Sequence, residues 1–334
     1  MKNKFFFSLL FLFVIIFLII SPYYFFLTKT LKISPIKTLL SLNSLKTYNN
    51  QVTILILGIA GENHEGATLS DSIIVANYNL RTNKLLTISI PRDIWSRTLQ
   101  DKINTAYAYG EAKQKGGGLK LAKAEIGAVV GIPIQYATVI DFAKFKELID
   151  LLGGIDIDVD QTFKDNQFPI TGRENDECNG DTEFKCRYET VSFKKGSNHM
   201  DGKTALKFIR SRHADGAEGN DFARNRRQQK ILAAIKKKLI ESAVKPNLKN
   251  WKKISNSLDD LITRDISNQQ AAIILKNIVF SKDFSQKDIL LAPDLFFVPQ
   301  LSSQNDQYTL IPKEKNFSEI HRYIRLKQEG EKKK

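Results

Sequence analysis

The chain has 334 residues, of which 42% are hydrophobic and 26% are charged, and its formal net charge is +14 at pH 7. This apolar content is enough to bury a core in one large domain or two modest ones, which excludes a wholly disordered chain. The positive charge favours an anionic partner, such as nucleic acid, a phospholipid surface or a phosphorylated substrate, without choosing among them.

The N-terminal segment predicts a membrane anchor. Phe5 to Thr28 is a run of 24 residues without a charge, bracketed by Lys4 and Lys29, and a spanning helix needs about 20 apolar residues. A cleaved signal peptide is the alternative, but its apolar run is shorter and ends at a small-residue cleavage site, which this segment lacks. We expect a single-pass protein of the cell membrane, with residues 1–28 as a short cytoplasmic tail and transmembrane helix and residues 29–50 as a linker.

Residues 51–245 read as one domain in which strands and helices alternate. Two β-rich runs, Ile73–Asn79 and Leu85–Ile90, are joined by "LRTNK" as a hairpin. The remaining predicted elements are a strand at "VTILILG", two helices separated by Gly116–Gly118, a strand at "YATVI", a helix capped by Asp141, a strand at "IDIDVD", a short helix at "DGKTALKFI" and a long helix from Asp221.

This alternation predicts an α/β fold, an α-β-α sandwich with a central mixed sheet flanked by helices and preceded by the N-terminal transmembrane helix. Residues 161–198 are polar and loop-rich, and they contain both cysteines, Cys178 and Cys186. A disulfide that closes a small hairpin is plausible outside the cytoplasm, and two free thiols are the alternative. Residues 246–312 are expected to be a C-terminal extension packing on the domain, and residues 313–334 a charged flexible tail.

Several arginines suggest an anion site. The apolar stripe of the helix from Asp221 begins with Arg224 and Gln228, and a buried arginine is costly unless it is paired. Either Arg224 bonds a neighbouring carboxylate, or the helix N-terminus and its arginine form an anion site in a cleft. If residues 210–212 are extended, Arg210 and Arg212 project from one face, and arginine binds phosphate with a bidentate fork.

The hairpin at residues 70–93 carries lone charged residues at its ends. Asp71 opens the first strand, and Arg92 and Asp93 follow the second. Phosphate chemistry usually needs a divalent metal, and Mg²⁺ prefers carboxylate oxygens. Asp71 is therefore a candidate metal ligand, with an Asx-turn cap as the alternative, and Arg92 is a further candidate phosphate ligand.

Five ordered motifs resemble the LytR-CpsA-Psr family from about Val52 to Ile240. They are "SDSIIVANYNLRTNKLLTISIPRD", "KINTAYAYG", "VIDFAKFKELIDLLGGIDIDV", "HMDGKTALKFIRSRH" and "DFARNRRQQKILAAI". The resemblance implies a central sheet flanked by helices, and a phosphotransferase that acts outside the cytoplasmic membrane. It would move a glycopolymer from a polyprenyl-pyrophosphate carrier to peptidoglycan or another envelope acceptor, and no nucleic-acid partner is expected.

The resemblance also implies a site with Mg²⁺ or Mn²⁺ and several arginines around the pyrophosphate. Asp71 would be the metal ligand, and five residues would contact the pyrophosphate: Arg92, Arg210, Arg212, Arg224 and Gln228. Two positions depart from the family pattern, because Ala60 replaces a second metal-binding aspartate and Leu69 replaces an arginine. Glu62, His64 or Glu65 could compensate, or the metal is held more weakly.

As a mechanistic hypothesis, an acceptor hydroxyl attacks the phosphorus next to the glycan while the cations stabilise the developing charge. Asp221 or Asp93 could accept the hydroxyl proton. The competing hypotheses are a membrane-anchored DNA-binding regulator, a lipid-pyrophosphate hydrolase that uses the same site, and a non-catalytic polyprenyl-phosphate binding protein.

Overall fold

The computed structural model describes residues 21, 23–40, 45–61, 66–170, 172–173, 176–211, 213–219, 223, 226–227, 230–231, 233–235, 237–238, 241, 248–281, 283–291, 293–299, 308–314 and 316–329. Most of the predicted anchor lies outside these residues, as do Arg212, Asp221, Arg224 and Gln228 of the predicted site and the possible metal ligands Glu62, His64 and Glu65. No helix in the described part of the chain combines the length and hydropathy that a bilayer crossing requires.

The secondary structure alternates between strands and helices, as the sequence predicts. The strands are β1 Gln51–Ile59, β2 Ser70–Asn79, β3 Lys84–Ile90, β4 Trp95–Ser96, β5 Asp101–Lys102, β6 Tyr136–Asp141, β7 Ile155–Val159, β8 Phe163–Pro169, β9 Tyr188–Phe193, β10 Gly196–Met200, β11 Ile262–Arg264, β12 Ser285–Leu290, β13 Phe296–Phe297 and β14 Ile311–Pro312. The helices are α1 Pro35–Leu40, α2 Ala106–Lys113, α3 Gly118–Val130, α4 Phe142–Leu151, α5 Gly202–Arg210, α6 Leu248–Leu261, α7 Asn268–Val279 and α8 Ser318–Glu329. A π-helical turn precedes α1 at Phe26–Thr30, and described residues between 223 and 241 are also helical.

A six-stranded mixed sheet, in the order β11-β6-β1-β2-β3-β12, organises the described residues. β1, β2 and β3 pair antiparallel along the chain, whereas β6 pairs parallel to β1 and β12 parallel to β3. The carboxyl ends of β1, β3 and β6 therefore lie at the same edge as the start of β2. This edge carries the predicted Asp71 and Arg92.

Alternating side chains of the sheet pack against helices on both faces. Leu55, Leu57 and Ile88 are fully buried in a cluster with α2, α3 and α8, while Ile54 on the opposite face packs in a cluster with α7. Ile140 packs in a third cluster, which includes α4, α5, α6 and the smaller sheets β7–β10 and β8–β9. The predicted α-β-α sandwich with a mixed central sheet is confirmed.

Local signals set several helix ends. The Asp141 carboxylate caps α4 by accepting a hydrogen bond from the Ala143 backbone N–H at 2.9 Å, as the sequence predicts. α3 ends at Gly131, whose φ of +68° is a left-handed conformation that favours glycine. The predicted break between the first two helices of the domain also occurs, with Gly118 as the first residue of α3.

The polar segment at 161–198 contains more regular structure than predicted. β8 and β9 form a hairpin there, and β10 pairs with β7 beside it. The sulfur atoms of Cys178 and Cys186 are bonded to each other, so the predicted disulfide closes the loop between β8 and β9. Asp176 also lies near these sulfurs, but disulfide-bonded sulfurs are not thiolate ligands for a metal.

The C-terminal region is also more integrated than predicted. β11 and β12, both within residues 246–312, are the two edge strands of the central sheet. The expectation of a flexible tail from residue 313 is wrong for α8, because Ile320 and Ile324 are buried against the α2–α3 side of the sheet. These two apolar side chains lie four residues apart on one helical face, and Phe317 and Tyr323 pack against the same cluster.

Candidate functional site

The β2–β3 hairpin brings Asp71 and Arg92 together. Ile73 pairs with Ile90 in the antiparallel register, Asp71 lies two residues before Ile73, and Arg92 lies two residues after Ile90. Asp71 is skipped where the β1–β2 register shifts between Gly58 and Ile59, and Arg92 lies in the turn after β3, so both lie just beyond this buried pair. The Arg92 guanidinium Nη1 donates a hydrogen bond to the Asp71 carboxylate Oδ1.

The Asp71 carboxylate is bonded to a guanidinium across the hairpin, and its role as a metal ligand stays a prediction. The Asp71 side chain is 33% exposed and that of Arg92 is 37% exposed, so both groups remain accessible from solvent. The partly exposed carboxylate can bind a cation, and the guanidinium next to it can bind an anion.

Asp93 and Lys102 complete a group of four charges, which we call the edge cluster (Asp71, Arg92, Asp93 and Lys102). The Asp93 Oδ2 lies 3.6 Å from Arg92 Nε, and its Oδ1 lies 3.1 Å from Lys102 Nζ. Lys102 is in β5, within the "KINTAYAYG" motif, and was not predicted as a site residue. Its side chain is only 18% exposed, so this charge is held at the edge of the domain rather than extended into water.

The loop after β1 approaches the edge from the other side. Ile59, the last residue of β1, pairs with Asp141 in the parallel register, and Ala60 follows it. Gly61 has a φ of +84°, and a Cβ at this position would lie 1.9 Å from Asp141 Oδ1, so glycine is required. Asp141 therefore lies directly against the loop in which Ala60 replaces the expected aspartate.

A buried tyrosine lies behind this part of the edge. Tyr107 of α2 is 7% exposed. Burial raises the pKa of its hydroxyl group, and the negative charges of Glu111 and Asp141 raise that pKa further, while a hydrogen bond with Thr263 of β11 opposes the shift. Tyr107 is therefore a neutral hydrogen-bonding group that joins α2 to the sheet.

The second predicted group is only partly described. Arg210 is the last residue of helix α5, so the extended conformation considered for residues 210–212 is wrong at this residue. Its guanidinium carbon lies 6.0 Å from the ring centroid of Phe168 in β8. The structure thus brings together Asp71, Arg92 and Asp93 and places Arg210 against β8, while Arg212, Asp221, Arg224 and Gln228 lie outside the described residues.

A buried ion pair follows Arg210 in this region. Arg227 is 2% exposed and Glu218 is 7% exposed, and their side chains meet with an Nη1–Oε2 distance of 2.7 Å. Burial lowers the pKa of the Arg227 guanidinium, and Glu218 opposes this shift. Arg227 belongs to the "DFARNRRQQ" motif but was not predicted as important, because adjacent arginines in one motif look alike until their burial is known.

The chain is similar to known proteins. Residues 27–291 match the model of the LytR_cpsA_psr family. The chain is 29% identical over 230 residues to the polyisoprenyl-teichoic acid–peptidoglycan teichoic acid transferase TagU of Bacillus cereus, an alignment that covers 68% of this chain and 64% of the relative.

Two further similarities concern a regulatory protein and a solved structure. The chain is 32% identical over 197 residues to the regulatory protein MsrR of Staphylococcus aureus, covering 58% of this chain and 50% of that protein. This chain thus spans less than two thirds of both curated relatives. It also resembles the crystal structure of B. subtilis TagV, with a TM-score of 0.51 and 24% identity over 84% of this chain and 98% of the other, which is a likeness of fold.

The exposed and buried ion pairs predict effects of different size on the free energy of unfolding. Arg92→Ala is expected to change the free energy of unfolding by less than about 1 kcal/mol, because partly exposed pairs are screened by water. Arg227→Ala is expected to lower it by roughly 3–5 kcal/mol, because the buried Glu218 carboxylate would lose its buried partner and keep only the exposed Arg226 as a counter-charge. Urea denaturation followed by circular dichroism measures both changes.

Arg226→Ala is the matched control for Arg227→Ala. Arg226 contacts the same Glu218 carboxylate at 3.1 Å, but its side chain is 55% exposed. Its removal should cost less than about 1 kcal/mol. Equal losses in the Arg226 and Arg227 variants would contradict the importance we give to burial.

Proposed function

Because this chain belongs to the LytR-CpsA-Psr family, we propose that it transfers a glycopolymer from a polyprenyl-pyrophosphate carrier to peptidoglycan or another acceptor of the cell envelope. The activity of the TagU relative, transfer of teichoic acid from a polyisoprenyl carrier to peptidoglycan, supports this reaction type. The observation that carries the proposal is the edge cluster, in which two cations and two carboxylates meet at one end of the sheet.

In this proposal, Arg92 and Lys102 bind the pyrophosphate. The planar Arg92 guanidinium suits bidentate contacts with phosphate oxygens, and Lys102 supplies a compact second charge. Asp93 faces both cations and keeps them from separating before the anion arrives. Arg210, Arg212, Arg224 and Gln228 remain proposed further ligands.

A divalent cation, Mg²⁺ or Mn²⁺, is proposed as the cofactor. The donor set fits it, because Mg²⁺ is commonly held by one or two carboxylates together with substrate phosphate oxygens, and Asp71 offers a partly exposed carboxylate at the edge. Asp71 would hold the ion, with Glu62, His64 or Glu65 as possible further ligands in place of Ala60. When bound, the ion would neutralise charge on the pyrophosphate.

The proposed reaction is a transfer of the glycan phosphate. An acceptor hydroxyl oxygen forms a bond to the phosphorus next to the glycan, and the bond from this phosphorus to the bridging oxygen breaks. The bridging oxygen leaves with the electron pair as part of the lipid monophosphate, and the hydroxyl proton passes to Asp221 or Asp93. Arg92 and Lys102 stabilise the negative charge that grows on the leaving group.

We propose that the domain lies outside the cytoplasmic membrane and is anchored by the helix at residues 5–28, with the N-terminus in the cytoplasm. The uncharged run of 24 residues supports the anchor, and the Cys178–Cys186 disulfide supports an oxidising location. This location also separates the domain from DNA, which argues against the role of a DNA-binding regulator.

The topology predicts that protease added to intact cells will digest the domain. The full-length band that an antibody against residues 48–312 detects should disappear, while a cytoplasmic control protein stays intact. A domain that survives until the cells are lysed would contradict the proposed location.

For transfer itself, Arg92→Ala is expected to lower kcat/KM by roughly 10²–10³-fold, a size typical for loss of one group that stabilises transition-state charge. The assay measures formation of the glycan–acceptor product from a lipid-pyrophosphate glycan. Arg81→Ala is the matched control, because Arg81 is an exposed arginine at the opposite end of the same hairpin. Lipid release that does not depend on the acceptor would identify a hydrolase instead.

Metal dependence is testable through binding. Mg²⁺ should tighten the affinity of the chain for geranylgeranyl pyrophosphate, and Asp71→Asn should abolish this increase, because the amide carries no negative charge. Isothermal titration calorimetry with and without EDTA measures both effects. Tight binding that ignores Mg²⁺ in the native chain would favour a non-catalytic lipid-phosphate binding protein.

A further inference from the structure

A buried polar network surrounds Ser211, the residue between Arg210 and Arg212. Asp165 and Ser211 are both 0% exposed, and Arg227 is 2% exposed. Polar groups buried to this degree cost free energy unless each one is hydrogen-bonded. Their described partners include the segment that follows α5 and the elements that hold this segment.

Asp165 binds the segment from the side of β8. Its Oδ2 accepts hydrogen bonds from Ser211 Oγ at 2.7 Å and from the His213 backbone N–H at 3.2 Å. Its Oδ1 accepts from the Gln167 backbone N–H at 3.0 Å, which fixes the carboxylate within its own hairpin. A β-bridge between Asp165 and Ala214 continues the attachment.

Arg227 binds the same segment from the other side. Its Nη2 donates to the Ser211 carbonyl at 2.7 Å, and its Nη1 donates to the Glu218 carboxylate at 2.7 Å and to the Glu218 carbonyl at 2.9 Å. The guanidinium also lies over the Phe163 ring, 4.9 Å from its centroid. Arg227 thus links Ser211 and Glu218 through hydrogen bonds.

The two sets of bonds meet at Ser211, the residue that follows Arg210. Its hydroxyl donates to the Asp165 carboxylate, and its carbonyl accepts from the Arg227 guanidinium. A backbone fixed in this way lowers the entropy that is lost when a neighbouring side chain binds a ligand.

We propose that Asp165 and Arg227 are positioning residues, which act through Ser211 to hold Arg210, the last residue of α5, for the pyrophosphate. This inference rests on the proposed function, because that function gives Arg210 its ligand. Neither residue contacts the pyrophosphate in this proposal. The alternative is a network that only stabilises the fold. A positioning role predicts weaker binding of a pyrophosphate ligand alone, whereas a loosened fold would weaken binding of a ligand without phosphate as well.

Ser211→Ala tests the proposal with the smallest change, because it removes one hydroxyl group and leaves both buried charges in place. The measurement is the dissociation constant of the full-length chain in detergent for geranylgeranyl pyrophosphate and for geranylgeraniol, which has the same tail and no phosphate. The variant should bind the pyrophosphate roughly tenfold more weakly and the alcohol within about twofold of the native chain.

Thr53→Val is the matched control. Thr53 is 1% exposed, and its hydroxyl accepts a hydrogen bond from Asn77 at 2.9 Å near the start of β1, at the opposite end of the sheet. Both variants should have similar melting temperatures, and the control should bind both ligands as the native chain does.

Three results would overturn the proposal. Unchanged pyrophosphate affinity in Ser211→Ala would show that the network does not position Arg210 for the ligand. An equal loss of affinity for both ligands would indicate general loosening of the fold. A native chain that does not bind geranylgeranyl pyrophosphate at all would instead refute the proposed function, and with it the role of the arginines.

Discussion

The antiparallel register of β2 and β3 is the constraint on which the edge cluster depends. The buried pair Ile73 and Ile90 fixes this register, because a slip by one residue would move every apolar side chain of the hairpin to the opposite face. Asp71 and Arg92 lie just beyond this last pair, Asp71 at the irregularity of the β1–β2 register and Arg92 in the turn after β3. Hydrophobic burial in the hairpin therefore brings the two charges to the same end of the sheet, where the charges themselves contribute little to stability.

The Arg92–Asp71 and Arg227–Glu218 ion pairs have different roles for this reason. The pair between Arg92 and Asp71 is about one-third exposed, so its partners can exchange each other for water or a ligand at small cost. The pair between Arg227 and Glu218 is buried, so separating its partners is expensive and the pair holds its surroundings in place. An accessible pair is suited to binding, and a buried pair is suited to positioning.

The sequence predicted the features that depend on strong local patterns. The hairpin, the Asp141 cap and the glycine-separated helices follow from alternation, capping and chain breaks, and Asp71, Arg92 and Asp93 were identified because lone charges ended apolar strands. The outermost strands of the sheet, β11 and β12, were missed because neither has a clear apolar run: β11 is three residues long and β12 reads "SQKDIL". Asp165 was missed because it lies in a polar segment, and its burial depends on Ser211 and His213, which are more than 45 residues away in sequence.

The edge cluster contains two acids and two bases, so its formal charge is balanced before any ligand binds. Under the proposed function, a pyrophosphate brings negative charge to Arg92 and competes with Asp71 for the guanidinium. The carboxylate released from that pair is then the group available to a divalent cation, which would arrive with the same anion. The ion pair across the hairpin thus stands in for the ligand contacts: Asp71 occupies the place of a phosphate oxygen at Arg92, and Arg92 occupies the place of the cation at Asp71. Since this exchange replaces one charge-paired state by another, the cluster can bind a highly charged ligand without first exposing an uncompensated charge in the domain.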